Sequence, residues 1–169
     1  PAAKQSLLII EDNTDMRSFI SSIFEKDFKI FEACNGEEGI QLAKEHMPTL
    51  IICDLMMPVK DGISCSREIK ENPQTTHIPI IILTKAEDTD ILEATQTGVD
   101  DYVMKPFNPE ILATKVKNLI TQRERLKRIY TKSLMLNNRS SSDETSETDT
   151  FVQQVIHVIE TNLSDESFN

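Results

Sequence analysis

The sequence predicts an α/β fold: an open, doubly wound parallel sheet of five strands with helices on both faces. Three observations predict it. Short apolar runs read as strands covered on both sides, they alternate with amphipathic three- and four-residue spacing five times in the first 128 residues, and capping residues, Gly or Pro fall at several of the changeovers. Right-handed crossovers join such units. Ligands then bind beyond the carboxyl ends of the strands, where strand order reverses. Function is therefore expected at residues 11–13, 54–58, 84–87 and 104–107.

The first strand is the unbroken run at 7–10. Met16, Phe19, Ile20, Ile23 and Phe24 follow at helical spacing behind Thr14, the expected N-cap. A second strand is expected at 28–32, and a helix from Gly36 to residue 45, ending before Pro48. The third strand, 50–54, leads to a helix over 63–72. The fourth, 78–83, leads to a helix over 87–97 that Gly98 is placed to stop. After a fifth strand at 101–104, Asn108 caps the last helix and Pro109 takes its first position, where a missing N–H costs nothing. Its apolar stripe runs past the expected domain end: positions 112, 116, 119, 123, 126 and 130 have coiled-coil spacing, interrupted by Arg123. Residues 140–149, SSSDETSETD, contain no apolar side chain and read as a linker. Phe151, Val152, Val155, Ile156, Ile159 and Leu163 mark one more amphipathic helix.

At 169 residues the chain has room for one ordinary domain and an appendage. Its apolar runs are too short for a membrane helix, and it opens at Pro1 without a leader pattern, so it reads as a piece of a longer, cytoplasmic region. Cys34, Cys53 and Cys65 form neither a disulfide framework nor a zinc pattern. The net charge of −10 conceals three regions: −10 over 1–114, +7 over 115–139 and −7 over 140–169. The basic stretch reads as the solvated face of a connector helix rather than a DNA surface. His46, His77 and His157 are scattered and read as structural or surface residues, and Cys53 reads as packing.

Four strand ends deliver Glu11 and Asp12, then Asp54, then Thr84, then Lys105. Taken singly, each has an ordinary reading; Glu11 and Asp12, for instance, suit a helix N-terminus. Asp54 is harder to dismiss, because an acid at the end of a buried strand is costly without a partner. Gathered together, three carboxylates call for a hard cation such as Mg²⁺. An aspartate beside such a cation is a competent nucleophile toward phosphorus, with Thr84 and Lys105 available to the phosphoryl oxygens.

The segments IIEDN (9–13), IICDLMMPVKDG (51–62), ILT (82–84) and GVDDYVMKPF (98–107) resemble the receiver domain of two-component response regulators, over residues 5–128. The resemblance implies a flavodoxin-like sheet of order 2-1-3-4-5. It also implies that Asp54 accepts a phosphoryl group from a histidine kinase, with Mg²⁺ held by Glu11, Asp12, Asp54 and the backbone carbonyl of Met56. Lys105 would bridge Asp54 and the phosphoryl oxygens, Thr84 would move toward them, Tyr102 would turn inward as the switch aromatic, and the Lys105–Pro106 bond would be cis. Lys85 departs from the pattern, which has a small residue after the threonine. Met56 and Ala86 occupy positions that influence hydrolysis and cannot orient water, so a long-lived phosphoaspartate is expected.

The tail, DTFVQQVIHVIETNLSDESFN (149–169), resembles the opening helix of an AraC-type DNA-binding region. The implied plan is a receiver at 5–128, a helical extension and linker at 129–149, and an incomplete DNA-binding domain at 150–169. The expected parent is a hybrid sensor histidine kinase anchored in the inner membrane, with DNA reached only through the missing region. This stretch itself is expected to be a phosphoacceptor switch rather than an enzyme, with receiver homodimers formed through the fourth helix, fifth strand and fifth helix. A stand-alone adaptor is the alternative. A haloacid-dehalogenase-type phosphatase needs an acid where Met56 stands, and an FMN carrier needs a phosphate loop that Glu11 and Asp12 would repel.

Overall fold

The computed structural model describes residues 3–85 and 88–139. The chain divides into two compact units, Pro1–Gln122 and Arg123–Asn169. The linker and tail readings at 140–169, and Ala86, lie outside the described residues.

The elements are β1 (Ser6–Ile10), α1 (Thr14–Phe24), β2 (Lys29–Ala33), α2 (Gly36–His46), β3 (Leu50–Asp54), α3 (Gly62–Glu71), β4 (Ile80–Thr84), α4 (Asp88–Gln96), β5 (Asp101–Met104) and α5 (Pro109–Arg139). All strand pairs are parallel, in the order β2-β1-β3-β4-β5. The strand order therefore reverses between β1 and β3, and a crevice opens at their carboxyl ends.

Period-two alternation splits the core. Leu8, Ile10, Ile51, Cys53, Ile80 and Ile82 pack with Ile40 and Ala43 of α2 and Cys65 and Ile69 of α3. Leu7, Ile9, Leu50, Ile52, Ile81 and Leu83 pack with Ile20 and Phe24 of α1 and Leu112, Val116 and Ile120 of α5. Each buried Leu or Ile contributes about 2 kcal/mol. That stabilisation offsets the cost of placing Asp54 at the end of a strand whose five residues are all buried.

Several boundaries differ from expectation. Asn13, not Thr14, caps α1: its side chain accepts from the Met16 amide at 2.8 Å, and Thr14 is already helical. β2 begins at Lys29 because the Phe28 amide still bonds to the Phe24 carbonyl in the turn after α1. β4 runs Ile80–Thr84 rather than 78–83: Ile78 donates to the Thr75 carbonyl in the preceding turn, and Pro79 has no N–H to donate. Thr84 is thus the last strand residue. α3 opens at Gly62, capped by Asp61. Gly98 ends the α4 region with φ +81°, and Asn108 Oδ1 accepts from the Glu110 amide at 2.7 Å at the start of α5. In α5, Leu112 and Val116 are fully buried, whereas Arg123, Leu126 and Tyr130 of the expected stripe are exposed. No helix among the described residues is long and apolar enough to cross a membrane.

Candidate functional site

A cleft of about 630 Å³ opens at the switch point, lined by residues that include Glu11, Asp12, Asp54, Met56, Lys85 and Lys105. Carboxylate oxygens of Glu11, Asp12 and Asp54 lie within 4.8 Å of one another. Strand register creates this proximity: Ile10 pairs with Cys53, so the acids that follow leave adjacent strands at the same height.

Lys105 Nζ donates to Glu11 Oε2 at 2.7 Å and lies 2.9 Å from Asp54 Oδ1. One ammonium thus serves two nearly buried carboxylates, and exposed Asp12 adds a third negative charge. Burial raises the Glu11 and Asp54 carboxyls above their ordinary values even though Lys105 pulls both down. Burial also works to lower Lys105, but its bonds to Glu11 and Asp54 prevail and hold the ammonium above its usual value. After burial, a neighbouring carboxylate pushes each acid the same way, Asp54 acting on Glu11 and Asp12 on Asp54, so three carboxylates share one ammonium. These oxygens and their excess of charge fit a hard divalent cation.

The backbone around the acids is fixed. Glu11 donates its amide to the Ala33 carbonyl at 3.1 Å, and its carbonyl accepts from Arg17 Nη1 at 2.7 Å. Arg17 Nε also reaches Glu32 Oε2 at 3.4 Å, and Glu32 accepts from the Ser21 hydroxyl. Beyond β3, the Leu55 amide bonds to the Leu83 carbonyl at 2.9 Å and the Leu55 carbonyl accepts from Gly62 at 2.8 Å, bracketing Met56. A Cβ on Gly62 would stand 2.2 Å from the Asp54 carbonyl oxygen, so only glycine fits there.

The structure brings Glu11, Asp12, Asp54, Met56 and Lys105 onto one cleft. Thr84 is buried at the end of β4, where its carbonyl accepts from the Lys105 amide at 2.6 Å. Tyr102 is 41% exposed on β5, and the Lys105–Pro106 bond is cis. Cys53 packs in the core, its thiol pushed well above the usual value by its contact with Cys65 and by burial. Arg17 went unnoticed in the sequence, although an arginine in the first turn or so of a helix opposes the helix dipole and so signals a separate partner.

A doubly wound parallel sheet with an acidic, lysine-bearing cleft at its switch point defines a phosphoryl- or metal-binding class of α/β domain. Residues 7–117 match the response regulator receiver domain. The chain belongs to that family, the receiver module of two-component phosphorelays, whose members receive phosphate from histidine kinases. It is 32% identical over 167 residues to histidine kinase P4 of Formosa agariphila, covering 98% of this chain and 12% of that protein. It is 40% identical to the transcriptional regulatory protein SrrA of Staphylococcus aureus, covering 68% of this chain and 47% of that one. The chain thus spans less than half the length of either relative. The receiver domain of sensor histidine kinase PA1611 from Pseudomonas aeruginosa PAO1, solved with magnesium coordinated in its active-site cleft, is 29% identical. It superposes with a TM-score of 0.66, covering 70% of this chain and 99% of that one.

Proposed function

We propose that Asp54 is the phosphoacceptor of this receiver and that phosphorylation switches an output carried by the rest of the parent protein. The observation that carries the reading is the shared lysine: a nearly buried strand-end aspartate 2.9 Å from an ammonium already bonded to a second acid. Glu11, Asp12, Asp54 and the Met56 carbonyl would hold Mg²⁺. When bound, that ion neutralises charge on the acids and on the phosphoryl oxygens. An Asp54 carboxylate oxygen attacks phosphorus, a P–O bond forms as the P–N bond to the donor histidine breaks, and the leaving imidazole keeps the electron pair and takes up a proton. Lys105 exchanges one carboxylate partner for a phosphoryl oxygen, and Thr84 donates its hydroxyl to another. Tyr102 then turns inward and changes the surface formed by α4, β5 and α5, through which receivers pair.

The match to the Formosa kinase runs through the tail and supports a parent of the hybrid-kinase kind. An AraC-type DNA-binding output is the accompanying proposal. The test is labelling with acetyl phosphate and Mg²⁺, comparing the parent with Asp54→Asn, followed by a chase. The parent should acquire acid-labile phosphate and the variant none; label retained in Asp54→Asn overturns the assignment. Met56 and Ala86 cannot orient water, so loss in the chase should be slow, and rapid loss contradicts that part.

A further inference from the structure

Lys85 has no part in the scheme above, yet it is the first residue after β4 and lines the same cleft as Asp54. The wall holds four carboxylates, Glu11, Asp12, Asp15 and Asp54, against two lysines, Lys85 and Lys105. The lysines are not equivalent. Lys105 is 9% exposed and divided between Glu11 and Asp54, whereas Lys85 is exposed on a long, flexible stem. The wall therefore carries a formal charge of −2, which one divalent cation cancels. A phosphoryl group arriving with two negative charges then meets no net attraction unless a cation at the cleft wall can turn toward it. Removing Lys85 would leave the metal-loaded cleft negative before the donor arrives.

We propose that Lys85 determines specificity at the cleft, favouring phosphodonors that carry two net negative charges over those that carry one. The inference rests on Asp54 being the phosphoacceptor. It has a distinctive sign: loss of Lys85 removes repulsion toward Mg²⁺ and attraction toward the donor, so the two affinities move in opposite directions or the metal's stays put. A merely structural lysine has no reason to separate them.

The experiment uses the whole chain and two small donors, acetyl phosphate, doubly charged at neutral pH, and phosphoramidate, with one net charge. Initial labelling rates at low salt and saturating Mg²⁺ are compared for the parent, Lys85→Ala and Lys85→Arg. In Lys85→Ala the acetyl phosphate rate should fall about fivefold more than the phosphoramidate rate, the effect of losing one partly screened charge interaction. High salt should shrink that difference, and Lys85→Arg should stay close to the parent. Calorimetric Mg²⁺ affinity without donor should be unchanged or tighter in Lys85→Ala. Equal falls with both donors, no fall with either, or weaker Mg²⁺ binding overturns the proposal. A parent that neither donor labels overturns the Asp54 reading itself, and the Lys85 proposal with it.

Discussion

Lys105 holds two carboxylates with one charge, and its replacement isolates what that sharing is worth. In Lys105→Ala, Glu11 and Asp54 would remain nearly buried without their ammonium. Breaking a buried pair from one side leaves the partner charge uncompensated, and the loss is about 3 kcal/mol. A divalent cation can replace the missing charge, so millimolar Mg²⁺ should restore much of the loss through mass action, while labelling at Asp54 stays slow. Thermal melts of parent and variant in EDTA and in Mg²⁺ check this; a loss that Mg²⁺ leaves untouched means the carboxylates do not hold the ion. Asp54 was legible in the sequence because an acid ending the run Leu50 to Cys53 is hard to explain otherwise. Arg17 was not, because its value lies in a hydrogen bond to the Glu11 backbone that only the folded β1–α1 connection creates.

The connection from β3 to α3 shows the same division at the level of an element. Asp61 and Gly62 were readable as the DG of the receiver pattern. Asp61 caps α3, accepting from the Ser64 amide at 2.8 Å and hydroxyl at 2.9 Å. Val59 was not readable, since it adopts φ 70°, a left-handed conformation that a β-branched residue resists; the surrounding bonds impose it against local preference. The boundary shifts at β2 and β4 have the same origin, amides already committed to neighbouring turns. Burial works to raise the Asp61 carboxyl, but the Ser64 bonds outweigh it and hold the group below its ordinary range. Its charged form therefore favours the folded state: the contribution is complete above the unfolded carboxylate pKa and is lost as pH falls through the folded one. Asp61→Ala should cost about 1 kcal/mol at neutral pH, and the gap from the parent should narrow in acid. Asp61→Asn keeps an acceptor and should show less of that pH dependence. Denaturant midpoints of the three proteins at neutral and acid pH test it; parallel pH curves for parent and Asp61→Asn would remove the charge from the account.

For the molecule in solution, the proposed switch must work against its own charge. The whole chain carries a net −10, and converting the Asp54 carboxylate into an acyl phosphate, one charge replaced by two, adds about one more negative charge. Two such chains repel at long range, so pairing is expected to draw on short-range apolar contact. The α4–β5–α5 surface offers it: Leu92 is 62% exposed, Tyr102 41%, Met104 53% and Ile111 53%. Tyr102 belongs both to that patch and to the expected switch, so turning it inward would reshape the surface where pairing is proposed. Receivers loaded with Mg²⁺ and beryllofluoride, a phosphoryl mimic, should therefore sediment as a heavier species than the free chain. Added salt should strengthen that association, since it screens repulsion without weakening apolar contact. Ile111→Glu would place a charge in the patch on α5, outside the residues that line the cleft, and should abolish the heavier species while leaving beryllofluoride binding intact. Identical sedimentation with and without the mimic would leave the switch without a pairing output, and association that salt dissolves would assign the contact to ion pairs instead of the apolar face.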